Sequence, residues 1–177
     1  VTATSLLLLV QGGKLFLDDS IQKYLIELHG FPIGQATIRD LLNHSAGLPG
    51  WRPLYERLEA KGMVADQGQP SVVREAVLQL IRDEPLIYGR GERSLYSDLG
   101  FILLGLLIER VTGLSLDWQY RKTVAGPLGA RPLLFAPMAV VDSETTIECS
   151  VNRSRIALTE WDDWRKRLLQ GEVHDEN

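Results

Sequence analysis

Residues 96–113 read YSDLGFILLGLLIERVTG, and from Leu99 to Ile108 every residue is apolar or Gly, with Asp98 before the run and Glu109 and Arg110 after it. A run of this length, rich in Leu, predicts a helix rather than a strand. A helix that is apolar on all sides is a buried one. It is too short for a bilayer span, which needs about 20 apolar residues. Ser97 or Asp98 can cap its N-terminus, and Gly113 can stop it. The tripeptide Tyr96-Ser97-Asp98 therefore stands where a buried helix emerges. Polar side chains are held rigidly there, and the helix terminus adds partial positive charge. This is the candidate location for chemistry.

The 177 residues, 45% hydrophobic and 24% charged, suit one globular domain with a sizeable core. The net charge of -4 leaves no nucleic-acid footprint, and the one basic cluster, Arg165-Lys166-Arg167, reads as a solvated face. Cys149 is the single cysteine, which excludes an internal disulfide. His29, His44 and His174 are far apart and lack ligand-spaced partners, so no metal is expected. Val1–Val10 already reads as the middle of an apolar helix, and Gly171–Asn177 holds no closing element. The expectation is an internal piece of a longer protein.

Around the central run the punctuation predicts further helices. Thr2–Gln11 is a continuous apolar helix stopped by Gly12-Gly13, and Lys14–Asp19 is a connector. Ser20 can cap a helix to Leu28, with apolar residues at 21, 24, 25 and 28. Thr37 and Asp40 resemble a capping box that opens a short helix, IRDLLNHSAG, ended by Gly47-Leu48-Pro49-Gly50. Residues 51–69 have no clear period and read as a partly helical excursion. Ser71 opens VVREAVLQLIRDE, with a stripe at 73, 76, 77, 80 and 81, closed by Pro85. Residues 86–94 form a Gly-rich turn; its GRGE lacks the Lys-Ser/Thr of a phosphate loop. Ser115 caps LDWQYRKTV, stopped by Gly126. In the mixed remainder, LLFAP (133–137) and TTIECSV (145–151) have strand character.

Five separated stretches, in order and spacing, resemble one family. They are LLLVQGGKLFLDD (7–19), TIRDLLNHSAGLP (37–49), GERSLYSDLGFILLG (91–105), ERVTG (109–113) and PLG (127–129). They look like the serine β-lactamase and penicillin-binding-protein-like hydrolases, in the class C or D-Ala-D-Ala carboxypeptidase branch. The resemblance implies an α/β parent fold, an antiparallel sheet flanked by helices. This chain would supply mainly the helical portion, one incomplete domain over 1–177 with few short strands. It also implies acyl transfer through a serine ester. In that chemistry a Ser-x-x-Lys nucleophile is activated by its Lys and by the Tyr of a Tyr-x-Asn motif, while a Lys- or His-x-Gly strand lines the oxyanion side.

By this resemblance Tyr96 is the general base and acid, and Asp98 stands at the substrate-binding position where Asn is usual. An ionised carboxylate only accepts hydrogen bonds, so the usual amide contact to substrate is altered. Ser-x-x-Lys would precede Val1 and the Lys/His-x-Gly strand would follow Asn177, so the chain as given should not turn over. The literal Ser20-Ile21-Gln22-Lys23 falls where the family has an ordinary connector and reads as structural. Lys122-Thr123 is followed by Val124 and is no Lys-Thr-Gly triad, and Asn43–Gly47 lacks the first Gly of a nucleophile elbow. The implied partner is a small-molecule or peptidoglycan-type substrate, with no cofactor, no nucleic acid and no transmembrane segment in this chain. The implied location is the periplasm or cell envelope. The oligomeric state is not readable. The rival reading is a non-catalytic relative, or an unrelated helical bundle, serving as a binding or scaffolding module.

Overall fold

The computed structural model describes residues 1–63, 70–130, 157–162 and 166–170. They fall in two compact units, Val1–Leu133 and Leu134–Glu176.

The first unit is built around the helix read from the central run, Asp98–Thr112 (α5). Leu99, Leu103, Leu104, Leu107 and Ile108 are fully buried along one stripe, and no residue from Leu99 to Glu109 is exposed. Its N-cap is Ser97, and Gly113 closes it in the left-handed region at φ 68°, donating its N–H to Glu109 O at 2.9 Å. Thr2–Gln11 (α1) forms over the expected residues. Lys14 N–H bonds to Leu9 O and Gly13 N–H to Val10 O, with Gly13 at φ 67°, the reciprocal pattern of a Schellman stop.

The single helix expected from Ser20 to Leu28 is instead two 3₁₀ turns, Ile21–Lys23 and Ile26–Leu28, followed by a third at Pro32–Gln35. The cause is long-range. Ile21 N–H donates to Ala36 O at 2.9 Å and Ile38 N–H to Asp19 O at 3.2 Å, which holds Ser20 extended against Thr37. A nine-residue segment has little helical stability of its own to resist such bonds. The burial expected from the spacing survives: Ile21, Leu25 and Leu28 all enter the core.

Thr37 and Asp40 form a complete capping box, opening Ile38–Leu42 (α2). This helix stops well short of Gly47. His44 takes φ 56°, its N–H bonds to Leu41 O, and Ser45 N–H bonds to Asp40 O at 2.7 Å, a Schellman stop with histidine where glycine is usual. Leu54–Ala60 (α3) is the helical part of the 51–69 excursion. It is fastened to the end of Pro70–Arg82 (α4) through Glu84, whose side chain is 5% exposed and accepts from Arg52 Nε at 2.8 Å and from Arg57. In α4 the deepest residues are Ala76, Leu78 and Ile81, with Val73, Val77 and Leu80 half-buried.

Leu116–Tyr120 (α6) begins after Ser115 and widens into a π turn over Arg121–Ala125. Glu109 ties three helices together. Its carboxylate accepts the Leu116 N–H at 2.9 Å and pairs with Arg74 Nε at 2.8 Å. No single helix among the described residues is long and apolar enough to cross a membrane.

In the second unit, Leu158–Asp162 (β1) and Arg167–Gln170 (β2) pair antiparallel, with Trp161 opposite Leu168, Asp162 opposite Arg167, and an irregularity between Leu158 and Trp161. Lys166 turns the chain at φ 51°. The stretches 133–137 and 145–151, together with Cys149, Arg165 and His174, lie outside the described residues.

Leu103→Ala in α5 should cost about 2–5 kcal/mol of stability through loss of packing and the cavity left behind. Leu7→Ala on α1, where Leu7 is 49% exposed, should change stability by about 0.5 kcal/mol. Urea midpoints of the two variants check the contrast, and equal losses would deny α5 its central place.

Candidate functional site

The N-terminus of α5 presents unpaired N–H groups, and the segment before it must be held in place while burying them. Ser97 is 3% exposed; its Oγ accepts the Gly100 N–H at 3.4 Å and donates to Pro49 O at 2.7 Å. The turn is then sewn to residues 43–50 on both sides. Leu95 N–H donates to His44 O at 2.9 Å, and Asp98 N–H to Gly50 O at 3.0 Å. Ser94 Oγ donates to Asn43 O at 2.7 Å, and Ser97 N–H donates to the His44 Nδ1 at 3.1 Å.

The approach to this turn is held in the same way. Ile87 N–H bonds to Gly47 O and Gly91 N–H to Ser45 O, while Tyr88 OH donates to His44 O at 3.0 Å. Gly47 is required here: φ is 92°, and a Cβ would lie 2.5 Å from Tyr88 O.

Within this rigid frame Tyr96 is 69% exposed, while the residue after it is buried. Its ring lies 4.7 Å from the His44 ring, tilted by 38°, and the same imidazole stacks with Phe101 at 5.0 Å and 22°. Asp98, half-buried, is the first helical residue of α5, where the helix terminus favours a carboxylate. Tyr96 and Asp98 thus flank the Ser97 cap. The arrangement offers a fixed backbone, a solvent-facing phenol and a carboxylate two residues on.

Ser20 and Lys23 form no equivalent centre. Lys23 Nζ donates to Asp19 Oδ2 at 2.9 Å, and this bond raises the pKa of the ammonium. Asp19 is lowered in turn by its bonds from Lys23 and then Tyr24; burial first, then the bond to Asp19, pushes the Tyr24 phenol up. The Lys23 ammonium is thus paired with a carboxylate one turn away, as on an ordinary surface turn. Thr123 Oγ1 donates to Gln119 O at 2.7 Å inside the π turn, so Lys122-Thr123 is part of a helix end.

His44 is the residue that the sequence does not single out. The neighbouring Gly47–Gly50 marks a turn, but nothing local says which side chain of it will meet Tyr96.

The chain belongs to the β-lactamase family, whose model, described as Beta-lactamase, matches residues 1–146. A protein of Escherichia coli strain K12 named "Putative D-alanyl-D-alanine carboxypeptidase" is 33% identical over 183 residues, covering 95% of this chain and 39% of that protein. The chain spans 39% of the length of the curated relatives it matches. Among solved structures, the penicillin binding protein of Bacillus halodurans superposes with a TM-score of 0.63 at 25% identity, over 80% of this chain and 43% of that one. The octameric penicillin-binding protein homologue of Pyrococcus abyssi gives 0.56 at 34% identity, over 72% and 29%. The fold class is therefore that of the β-lactamases and penicillin-binding proteins, represented here by a predominantly helical portion.

Incubation with an acylating serine probe should leave no adduct on Ser20. Peptide mass spectrometry checks this, and a stoichiometric adduct there would displace the site from Tyr96.

Proposed function

We propose that residues 1–177 are the helical portion of a serine hydrolase that cleaves an amide or ester through an acyl-enzyme, with Tyr96 as general base and acid. The supporting observation is the contrast at Tyr96, a backbone bonded on both sides beneath a side chain open to solvent. A general base must reach its proton while being held in one direction.

In this reading Tyr96, as phenolate, takes the proton of a serine hydroxyl as that oxygen attacks the substrate carbonyl. It then returns the proton to the leaving group, and water repeats the cycle to release the acyl group. A phenol, with an ordinary pKa near 10, serves as base only beside a cation. The Ser-x-x-Lys that supplies nucleophile and cation lies in sequence outside residues 1–177, as does the strand lining the oxyanion side. The two units are parts of one such domain.

The names of the relatives favour a peptidoglycan-type peptide as substrate, and with it a periplasmic or envelope location. Asp98 contacts the substrate. Where Asn can donate to a substrate carbonyl, an ionised Asp98 only accepts, so it favours a substrate that presents an N–H at that point.

Asp98 is also what favours the second reading, a relative that has lost its chemistry and serves as a binding module. The open reading frame that encodes these residues decides between the two. An in-frame Ser-x-x-Lys before Val1 and a His- or Lys-x-Gly after Asn177 support the hydrolase; a frame without them leaves the binding module. In the gene product, Tyr96→Phe should slow acylation by a β-lactam or ester about 10²–10⁴-fold, the usual worth of a general base. Unchanged acylation would remove Tyr96 from the mechanism.

A further inference from the structure

We propose that His44 is a positioning residue for Tyr96, fixing the direction of the phenol through its ring and its backbone together. The proposal rests on the reading of Tyr96 as the general base and adds the group that aims it.

Four observations converge on His44. First, its backbone occupies the left-handed region, φ 56°, at the stop of α2, a conformation that is strained for a non-glycine residue and that glycine adopts freely. A stop alone gives no reason for an imidazole here. Second, the Nδ1 of the ring accepts the N–H of the Tyr96–Ser97 peptide at 3.1 Å. That bond fixes the tautomer, because an accepting Nδ1 is unprotonated and Nε2 carries the proton. Third, His44 O accepts the N–H of Leu95 on the other side of Tyr96, at 2.9 Å, and the Tyr88 hydroxyl at 3.0 Å. Fourth, the ring contacts both the Tyr96 ring, at 4.7 Å, and that of Phe101, part of the buried helix, at 5.0 Å.

One residue thus holds the backbone on both sides of Tyr96 and backs its aromatic face. The left-handed conformation is what makes this geometry compatible: the same residue ends α2, offers its carbonyl to Leu95, and turns its ring toward Ser97. Ring and main chain of Tyr96 are then both referred to α5 through Phe101. An exposed tyrosine without such support would sample several rotamers, and misplacement of a catalytic group by about 1 Å can cost 10²-fold in rate.

The test uses the full gene product and three variants. His44→Gly keeps the left-handed stop and removes ring and acceptor; His44→Asn tolerates the same backbone and offers an amide oxygen to Ser97 N–H; Tyr96→Phe removes the base. His44→Gly should lower kcat for acyl transfer by about ten- to a hundredfold with KM little changed. His44→Asn should recover part of that loss, and His44→Gly added to Tyr96→Phe should cost nothing more than Tyr96→Phe alone.

A normal kcat in His44→Gly, or a full additional loss in the double variant, would overturn the positioning role while leaving Tyr96 as base. Full activity in Tyr96→Phe would overturn the underlying reading, and the proposal with it. Should His44→Gly not fold, ¹⁵N NMR of the wild-type imidazole decides: an unprotonated Nδ1 supports the assignment, and a protonated Nδ1 overturns it.

Discussion

Burying a helix whole imposes a condition at its start. Between Leu99 and Ile108 the side chains of α5 satisfy one another in the core, but the first N–H groups of the helix have no partner inside it. In this protein that condition is met by the Ser97 hydroxyl, which accepts from Gly100, and by a main-chain seam that fastens Ser94–Asp98 to Asn43–Gly50. The polar turn is therefore set by the needs of the apolar helix behind it. The rest of the unit follows: α1, α2, α4 and α6 pack on α5, and Glu109 draws the starts and ends of three helices to one carboxylate.

The seam also explains how an exposed tyrosine sits on an ordered backbone. Tyr96 faces solvent while its neighbours on both sides donate to His44, and Ser97 is held to Pro49 as well. A binding or catalytic side chain gains most from this division, in which the scaffold carries the order and the side chain carries the access. Membership of the β-lactamase family and the position of Tyr96-Ser97-Asp98 at the head of the buried helix point the same way.

What was legible in the sequence was what is decided locally. Thr2–Gln11, with Gly12-Gly13 after it, and the buried run closed by Gly113 carry their own boundaries, and the Thr37–Asp40 box needs only four residues. The exposed turn that carries Tyr96 was readable as a turn because the boundary of an apolar run is a place in the sequence as well as in space. What was not legible depends on distant partners. Ser20–Leu28 has helical spacing, yet its bridge to Thr37 imposes 3₁₀ turns. IRDLLNHSAG looks continuous, yet His44 stops it, because the ring and carbonyl of that residue have work some fifty residues away. The hairpin of β1 and β2 escaped notice because LTEWD and RLLQ show no clean alternation of apolar and polar residues.

The seam between the two stretches has a consequence for how the molecule is made. Its bonds join residues 48 and 53 apart in sequence, whereas the stops of α1 and α5 close within a few residues. Local closures cost little chain entropy and form fast; long ones wait until the intervening chain is arranged. On refolding, helical signal should therefore return before the tyrosine environment does. The chain passes through an interval in which it is largely helical and still lacks its candidate site. During synthesis, the stretch that will hold the tyrosine emerges first and stays without its partner until Asp98 has left the ribosome.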